Sequence, residues 1–238
     1  MTSRVPDELL RGVSRGLANP AEMTTEEAIR TLFPQSVVEK AKLAVAGPGE
    51  GARPRFAASP PHTEDKCRTF LEQLRWPEGV RCPRCDASRG ISRIEERAQF
   101  ECGACEYQFS VRVGTVFHGS HLPLWKWFLA AYLMTGSPEG VTANQLARSL
   151  DISYKTAWHL THRIRAAMGG GQARDTGEAR GILRASGRPR GRIKHLTAYL
   201  DERTFLSQNR GNPDLFVEML SRLIGVGSVS YAQLIASA

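Results

Sequence analysis

Four of the five cysteines fall in a pattern that could bind a metal ion. Cys82 and Cys85 form one pair with two residues between them, and Cys102 and Cys105 form a second such pair after 16 intervening residues. Two pairs at this separation match the spacing of a four-cysteine zinc site. Four thiolates close a tetrahedral shell and leave no open position for a substrate, so the pattern predicts a structural Zn²⁺. Redox-active cysteine pairs or plain buried cysteines are the alternatives.

Three further residues near this pattern could bind metal, and we expect none of them to do so. Cys67 lies on the apolar face of a predicted helix, where a thiol behaves as a small buried apolar side chain. His118 and His121 follow the second cysteine pair, but four thiolates already complete the site.

A second pattern further along the chain is typical of a helix-turn-helix DNA-binding unit. Thr142–Leu150 and Ser153–Met168 have helical periodicity and are separated by only two residues. Asp151 stands at the turn position where Gly is commonest, and Asp tolerates the left-handed backbone better than most residues. Ser153 is a favourable N-cap for the second helix, whose apolar stripe consists of Ala157, Leu160, Ile164 and Met168. An ordinary helical hairpin with a solvated basic face is the alternative.

The second of these helices would supply the DNA contacts. In a helix-turn-helix, the N-terminal part of the second helix meets base edges in the major groove, which predicts base contacts from Tyr154, Lys155, Trp158 and His159. The outer face then continues along the helix with His162, Arg163 and Arg165. The two arginines are predicted to contact phosphates, which position a protein on DNA without specifying sequence.

Helices and short strands are predicted to position these residues. A helix over residues 64–76 precedes the first cysteine pair, strands are predicted over 91–94, 99–101 and 108–113, and a further helix begins at Pro123. Short helices are also predicted after Thr24 and over residues 36–46, 195–207, 214–224 and 230–236. The expected fold class is mainly α with a small β zinc ribbon, a helix-turn-helix after it, a flexible linker and a short helical tail.

Five divisions of the chain follow from this pattern. They are a weakly structured leader and linker at 1–63, a zinc ribbon with its preceding helix at 64–120, a helical DNA-binding unit at 121–168, a linker at 169–194 and a helical tail at 195–238. The linker holds seven Gly and six Arg in 26 residues, and such a segment cannot bury enough surface to offset the entropy lost on ordering. Within it, Arg188, Arg190 and Arg192 are predicted to contact DNA phosphates.

Composition narrows the class of protein. The chain has 238 residues, a formal net charge of +8 and a pI of about 9.6, a balance that suits a polyanionic partner. The longest wholly apolar run, Trp127–Met134, is far shorter than the ~20 residues of a membrane helix. An acidic start at Asp7 and Glu8, with no apolar segment after it, argues against a secretory signal. We therefore expect a cytoplasmic protein with no membrane partner, and the predicted DNA binding implies association with the nucleoid.

Several of these segments resemble, in order, the N-terminal part of a family of bacterial insertion-sequence transposases, family fifteen-ninety-five. Phe70–Cys85 resembles the opening of its zinc ribbon, Gly114–Gly119 and Leu122–Met134 resemble its next segment, and Tyr154–Trp158 resembles its helix-turn-helix. The resemblance covers residues 64–168 and does not extend to the leader. It implies a zinc-binding, DNA-binding unit that precedes a nuclease domain.

The nuclease core that the resemblance implies does not fit into this chain. In that family, a ribonuclease-H-like core carries three acidic residues that bind two divalent ions for DNA strand transfer. Here only 26 residues separate the helix-turn-helix from the tail, too few for a domain of ~50 residues or more. The tail resembles the C-terminal end of the family, so the resemblance implies that the core between the two ends has been deleted.

No catalytic residues are predicted. Asp175 and Glu178 lie in the linker without a scaffold, and Asp201 and Glu202 are expected to be solvated helix charges. The expected function is zinc-dependent binding of duplex DNA, at terminal inverted repeats, without strand-transfer activity. An active transposase and a zinc-ribbon adaptor that binds protein are the alternatives. A second copy of the chain or an intact transposase is the further expected partner.

Overall fold

A computed structural model describes residues 19–46, 62–138, 140–169 and 196–229 of the protein. The described chain is mainly helical with one small sheet, as the sequence predicted. Its helices are α1 Thr25–Leu32, α2 Gln35–Ala46, α3 Thr63–Arg75, α4 Leu124–Thr135, α5 Ala143–Leu150, α6 Tyr154–Met168, α7 Leu196–Gln208 and α8 Leu215–Gly225. Its strands are β1 Ile91–Ile94, β2 Gln99–Cys102 and β3 Gln108–Phe109, which form one antiparallel sheet in the order β1-β2-β3.

Helix α4 forms the centre of the helical part. Nine of its twelve residues are buried, because its sequence is apolar around most of its circumference. It packs against α2, α3, α5, α6 and α8. Within the described ranges, no helix has the length and apolar character needed to cross a membrane.

The helix pair α5–α6 is built from strong local signals. Thr142 caps α5 in a capping box, in which its Oγ1 accepts the Gln145 N–H at 3.2 Å and the Gln145 side chain accepts the Thr142 N–H at 2.9 Å. Ser153 caps α6 and accepts the Thr156 N–H at 3.1 Å. Such caps each stabilise a helix by about 1 kcal/mol. Asp151 in the turn adopts the predicted left-handed backbone, with φ of 49°.

The apolar stripe of α6 packs as predicted. Ala157, Leu160, Ile164 and Met168 are all buried in the core that α4, α5 and α8 share. Helices α5 and α6 pack directly on each other across the three-residue turn. This arrangement fixes the direction of α6 relative to the rest of the chain.

The prediction of a weakly structured leader is wrong for residues 19–46. Helix α1 begins at the predicted Thr24–Glu27 capping box, and its buried Ile29 and Leu32 face α3 and α8. Helix α2 buries Val38 and Ala41 and packs against α4 and α5. The short apolar faces of these two helices pack against helices that are distant in the sequence. Sequence periodicity predicts a helix but not the partner against which it packs. Of the linker predicted at 47–63, residues 47–61 lie outside the described residues, and Thr63 already begins α3.

The tail is an integral part of the same core. Helices α7 and α8 begin and end within one or two residues of their predicted bounds. The Phe216 ring packs edge-on against Phe128 and Tyr132 of α4, with both centroid distances at 6.1 Å. The predicted helix at 230–236 and the Gly/Arg-rich linker lie outside the described residues.

Candidate metal centre and nucleic-acid interface

The four patterned cysteines converge on one point. Their Sγ atoms all lie within 4.8 Å of one another, with Cys82 to Cys105 at 3.7 Å and Cys85 to Cys102 at 3.6 Å. Zn–S bonds of about 2.3 Å in a tetrahedron place the sulfurs roughly 3.8 Å apart, so this arrangement has the dimensions of a zinc site. The cysteines therefore form a structural Zn²⁺ site, as the sequence predicted.

The two cysteine pairs are held by nearly identical turns. The Cys82 carbonyl accepts the Asp86 N–H at 2.9 Å, and the Cys102 carbonyl accepts the Glu106 N–H at 2.7 Å. Asp86 and Glu106 adopt left-handed backbone conformations with φ of 58° and 56°. Sequence spacing predicted the two pairs, but it gave no sign that a non-glycine residue closes each turn in this conformation.

Gly103 is required by a close approach within the ribbon. Its N–H donates to the Gly90 carbonyl at 2.8 Å, and a Cβ on Gly103 would lie 2.9 Å from the same oxygen. A larger residue would push the second cysteine pair away from β1, because real Cβ atoms do not approach a carbonyl oxygen so closely.

The electrostatics of the thiols favour a bound cation. Burial opposes ionisation of Cys82, but the backbone N–H groups of Arg84 and Cys85 outweigh it and lower the Cys82 pKa to about 7. The Cys85 thiol accepts a stabilising hydrogen bond from the Ala87 N–H, yet the neighbouring thiols, Cys105 first, and desolvation raise its pKa to about 12. Metal ligation requires thiolates, so a divalent metal ion would displace the proton of Cys85 as it binds.

The ribbon has only a small apolar core of its own. Phe100 and Phe109 are buried beside two of the cysteines, and the Trp76 ring packs edge-on against both, at 5.5 and 6.1 Å between centroids. Trp76 also contacts the helical core, so it links the two parts. An ion pair of 2.8 Å between Arg93 of β1 and Glu72 of α3 fixes the ribbon on the helical part.

The other sulfur and the two nearby histidines are not part of the metal centre. Cys67 is fully buried in the helical core, and burial raises its pKa well above the usual value. His118 is exposed, and its Nδ1 accepts the Gly114 N–H at 3.4 Å. Among the described residues, the four-cysteine cluster contains no histidine.

The predicted DNA-contacting residues of α6 divide into two groups. Tyr154, which is 56% exposed, and Lys155 project into solvent at the start of the helix, and Trp158, His159 and Arg163 are half-buried. Burial and the positive charges of Arg163 and Lys155 lower the pKa of His159. Lys155 is thus the exposed cation at the start of α6, and Arg163 lies further along the same helix. Arg188, Arg190 and Arg192 lie outside the described residues.

The predicted outward position of His162 and Arg165 is wrong. His162 is 3% exposed and Arg165 is 1% exposed, because α7 packs across the C-terminal half of α6. The His162 ring lies between Trp158 and Tyr199, with centroid distances of 4.3 and 6.4 Å. The side chains of these two α6 residues are buried in contacts within the protein, so they do not face solvent where DNA could bind.

Arg165 makes a buried ion pair that also corrects the expectation for Glu202. Arg165 Nε donates to Glu202 Oε2 at 2.9 Å, and Nη2 donates to the Val141 carbonyl at 3.0 Å. The guanidinium lies over the Tyr199 ring at 4.2 Å. Glu202 is 2% exposed, so it is not a solvated helix charge. The pair connects α6, α7 and the segment before α5.

Comparison with known proteins agrees with this site. Residues 62–108 match the transposase zinc-ribbon domain of family fifteen-ninety-five. A Halobacterium salinarum protein, described as lying in transposable element ISH50, is 36% identical over 110 residues, or 44% of this chain and 36% of that protein. The chain thus spans about a third of the length of this relative. No solved structure matches. The chain carries a transposase-type zinc ribbon and is similar to a protein of a transposable element.

Proposed function

We propose that this protein binds duplex DNA by inserting the start of α6 into the major groove, with a Zn²⁺-stabilised ribbon that contributes further contacts to the same duplex. The observation that carries the proposal is the exposed start of α6, with Tyr154 and Lys155 in solvent, on a chain with a transposase-type zinc ribbon. Tyr154 and Lys155 would meet base edges there. The positive end of the helix dipole at this terminus would favour a nearby phosphate.

Contacts with the rest of the protein hold α6 in a fixed position, as a recognition helix requires. Lys126 of α4 donates from Nζ to the Asp151 carbonyl at 3.3 Å, which ties the turn before α6 to the central helix. The buried stripe of α6 and its buried Arg165 fix the rest of the helix. A recognition element held this rigidly loses little conformational freedom when it binds.

The finer parts of the proposal concern the target and the partners. Transposase ancestry favours terminal inverted repeats of an insertion sequence as the specific site. The linker residues Arg188, Arg190 and Arg192 would add contacts to phosphates, which raise affinity without sequence preference. A second copy of the chain or an intact transposase would compete for, or share, the same DNA ends.

DNA strand transfer is not part of the proposed function. The 26 residues between the helix pair and the tail are too few for a nuclease domain. Glu202, one of the few acidic residues after residue 168, is engaged by Arg165 in the core. The chain therefore acts by occupying DNA.

Lys155→Ala is expected to reduce specific DNA binding selectively. Loss of a direct base contact should weaken binding to the preferred duplex by about 5- to 150-fold, and random duplex should be affected less, because it never makes that contact. The preferred duplex is obtained by selecting from a random-sequence pool with the wild-type protein. Affinities are then measured by fluorescence anisotropy on both duplexes.

Two further variants control this experiment. Lys42→Ala removes one exposed charge from α2 and should leave the preference between the duplexes unchanged. Replacing Arg188, Arg190 and Arg192 together should weaken binding to all duplexes alike and lower the salt dependence. If Lys155→Ala weakens both duplexes equally, α6 is not the recognition helix. If the wild-type protein binds no duplex, the zinc-ribbon adaptor becomes the better description.

A further inference from the structure

A second basic feature lies where the ribbon meets the helical part. A cleft of about 270 Å³ is lined on the ribbon side by the turn between β1 and β2 and by the segment after β3. On the helical side it is lined by α3 and the start of α4. No acidic side chain is among the residues that line it. The lining residues that matter here are Arg68, Arg97, Gln99, Ser110, Arg112 and Leu124, and we call this feature the arginine cleft.

The three arginines of the cleft are held in different ways. Arg112 is fixed by Glu64 at 2.9 Å and by two backbone carbonyls at 3.0 Å, and Arg68 pairs with Asp65 at 2.6 Å. Arg97 is exposed, and in the part of the chain that the structure describes it has no hydrogen bond or ion pair. The cleft thus combines two oriented guanidinium groups with one that is free to bind an anion.

We propose that the arginine cleft binds a phosphate of the DNA backbone, an inference that rests on the proposed DNA binding. A guanidinium presents paired N–H donors that match phosphate oxygens. Arg97 supplies the uncompensated charge, while the Gln99 amide and the Ser110 hydroxyl add donors for the same oxygens. The contact is to backbone phosphate, so it carries no sequence preference.

The position of the cleft suits a duplex that is also bound by α6. Leu124 lines the cleft, and Lys126, two residues further along α4, donates to the Asp151 carbonyl in the turn before α6. Leu124 and Lys126 both belong to the first turn of α4, so the cleft and the turn before α6 lie near the same end of this helix. A duplex that lies across this end of α4 would bring its backbone to the cleft.

The test is Arg97→Gln in the full-length, zinc-loaded protein. Loss of one phosphate contact should reduce the slope of log affinity against log salt by about 0.9, equally for preferred and random duplex. Arg210→Gln removes the same charge from the exposed turn between α7 and α8 and should leave the slope unchanged. Arg97→Lys keeps the charge and should keep the slope. Arg97 is exposed, so zinc content and helical circular dichroism should not change.

The possible outcomes separate this inference from the proposed function. If the wild-type protein binds no duplex, DNA binding and the cleft contact are both overturned. If wild-type and Arg210→Gln bind normally and Arg97→Gln has the wild-type slope, only the cleft contact is overturned. Calorimetry with inorganic phosphate distinguishes the sources of phosphate. Tight binding of free phosphate that depends on Arg97, with an unchanged DNA slope, would assign the cleft to a small anion instead.

Discussion

Cys102→Ser is expected to abolish zinc binding and unfold the ribbon while the helical part stays folded. Cys102 is fully buried, and the ribbon buries little else besides Phe100 and Phe109. Structural zinc contributes about 10–16 kcal/mol of apparent binding free energy at neutral pH, so the small ribbon depends on it for folding. The helical part has its own large core around α4 and should keep its circular dichroism.

Elemental analysis and NMR measure the two effects separately. The wild-type protein should hold one zinc per chain, and Cys102→Ser should hold none. The chemical shift of the Trp76 indole N–H should move toward its value in an unfolded chain, because the packing of Trp76 on Phe100 and Phe109 is lost. Cys67→Ser is the matched control, because Cys67 is equally buried but lies outside the metal centre. It should retain zinc and lose about 1–3 kcal/mol of stability. Full zinc content in Cys102→Ser would contradict the four-cysteine site.

Glu202→Ala is expected to destabilise the helical part by about 3–5 kcal/mol. The substitution leaves the guanidinium of Arg165 buried and without its carboxylate partner, which is the costly way to break a buried ion pair. The free energy of unfolding is measured by urea denaturation monitored at the helical circular dichroism signal. The expected loss is a large share of the 5–15 kcal/mol that stabilises a typical domain.

Glu26→Ala is the matched control for this prediction. Glu26 also pairs with an arginine, Arg30, but both side chains are exposed, so the loss should be below about 1 kcal/mol. The double variant Arg165→Met with Glu202→Leu removes both charges and should recover most of the lost stability. Equal stabilities for Glu202→Ala and Glu26→Ala would mean that the Arg165–Glu202 pair does not hold α6 to α7.

Local features of this protein could be predicted from its sequence. Two cysteines separated by two residues meet in one turn whatever surrounds them, and the caps Thr142 and Ser153 act within their own helices. Asp151 could be placed in a left-handed turn because few other residues tolerate that conformation. These features depend on contacts within a few residues, which the sequence displays directly.

Long-range contacts could not be predicted in the same way. Arg165 lies beside the apolar stripe of α6, so its charge suggested solvent, but its partner Glu202 comes 37 residues later on a helix whose packing the sequence leaves open. One signal was present: Thr161, Arg165 and Met168 repeat at helical spacing, and all three are buried. Helix α1 was predicted from its capping box, but its packing into the core was not, because its partners α3 and α8 are distant in the sequence.

Salt-dependent duplex binding by the zinc-loaded protein tests the central claim most directly. A labelled duplex is titrated by fluorescence anisotropy at salt concentrations between about 50 and 200 mM, before and after zinc is removed with a chelator. We expect log affinity to fall linearly with log salt, with a slope of about −0.9 for each phosphate contacted. Binding should weaken after chelation, because the ribbon then unfolds and its contacts to the duplex, including that of Arg97, are lost while α6 stays folded. Absence of duplex binding at the lowest salt would contradict recognition of DNA by this chain. An equal duplex affinity before and after zinc removal would contradict its dependence on zinc.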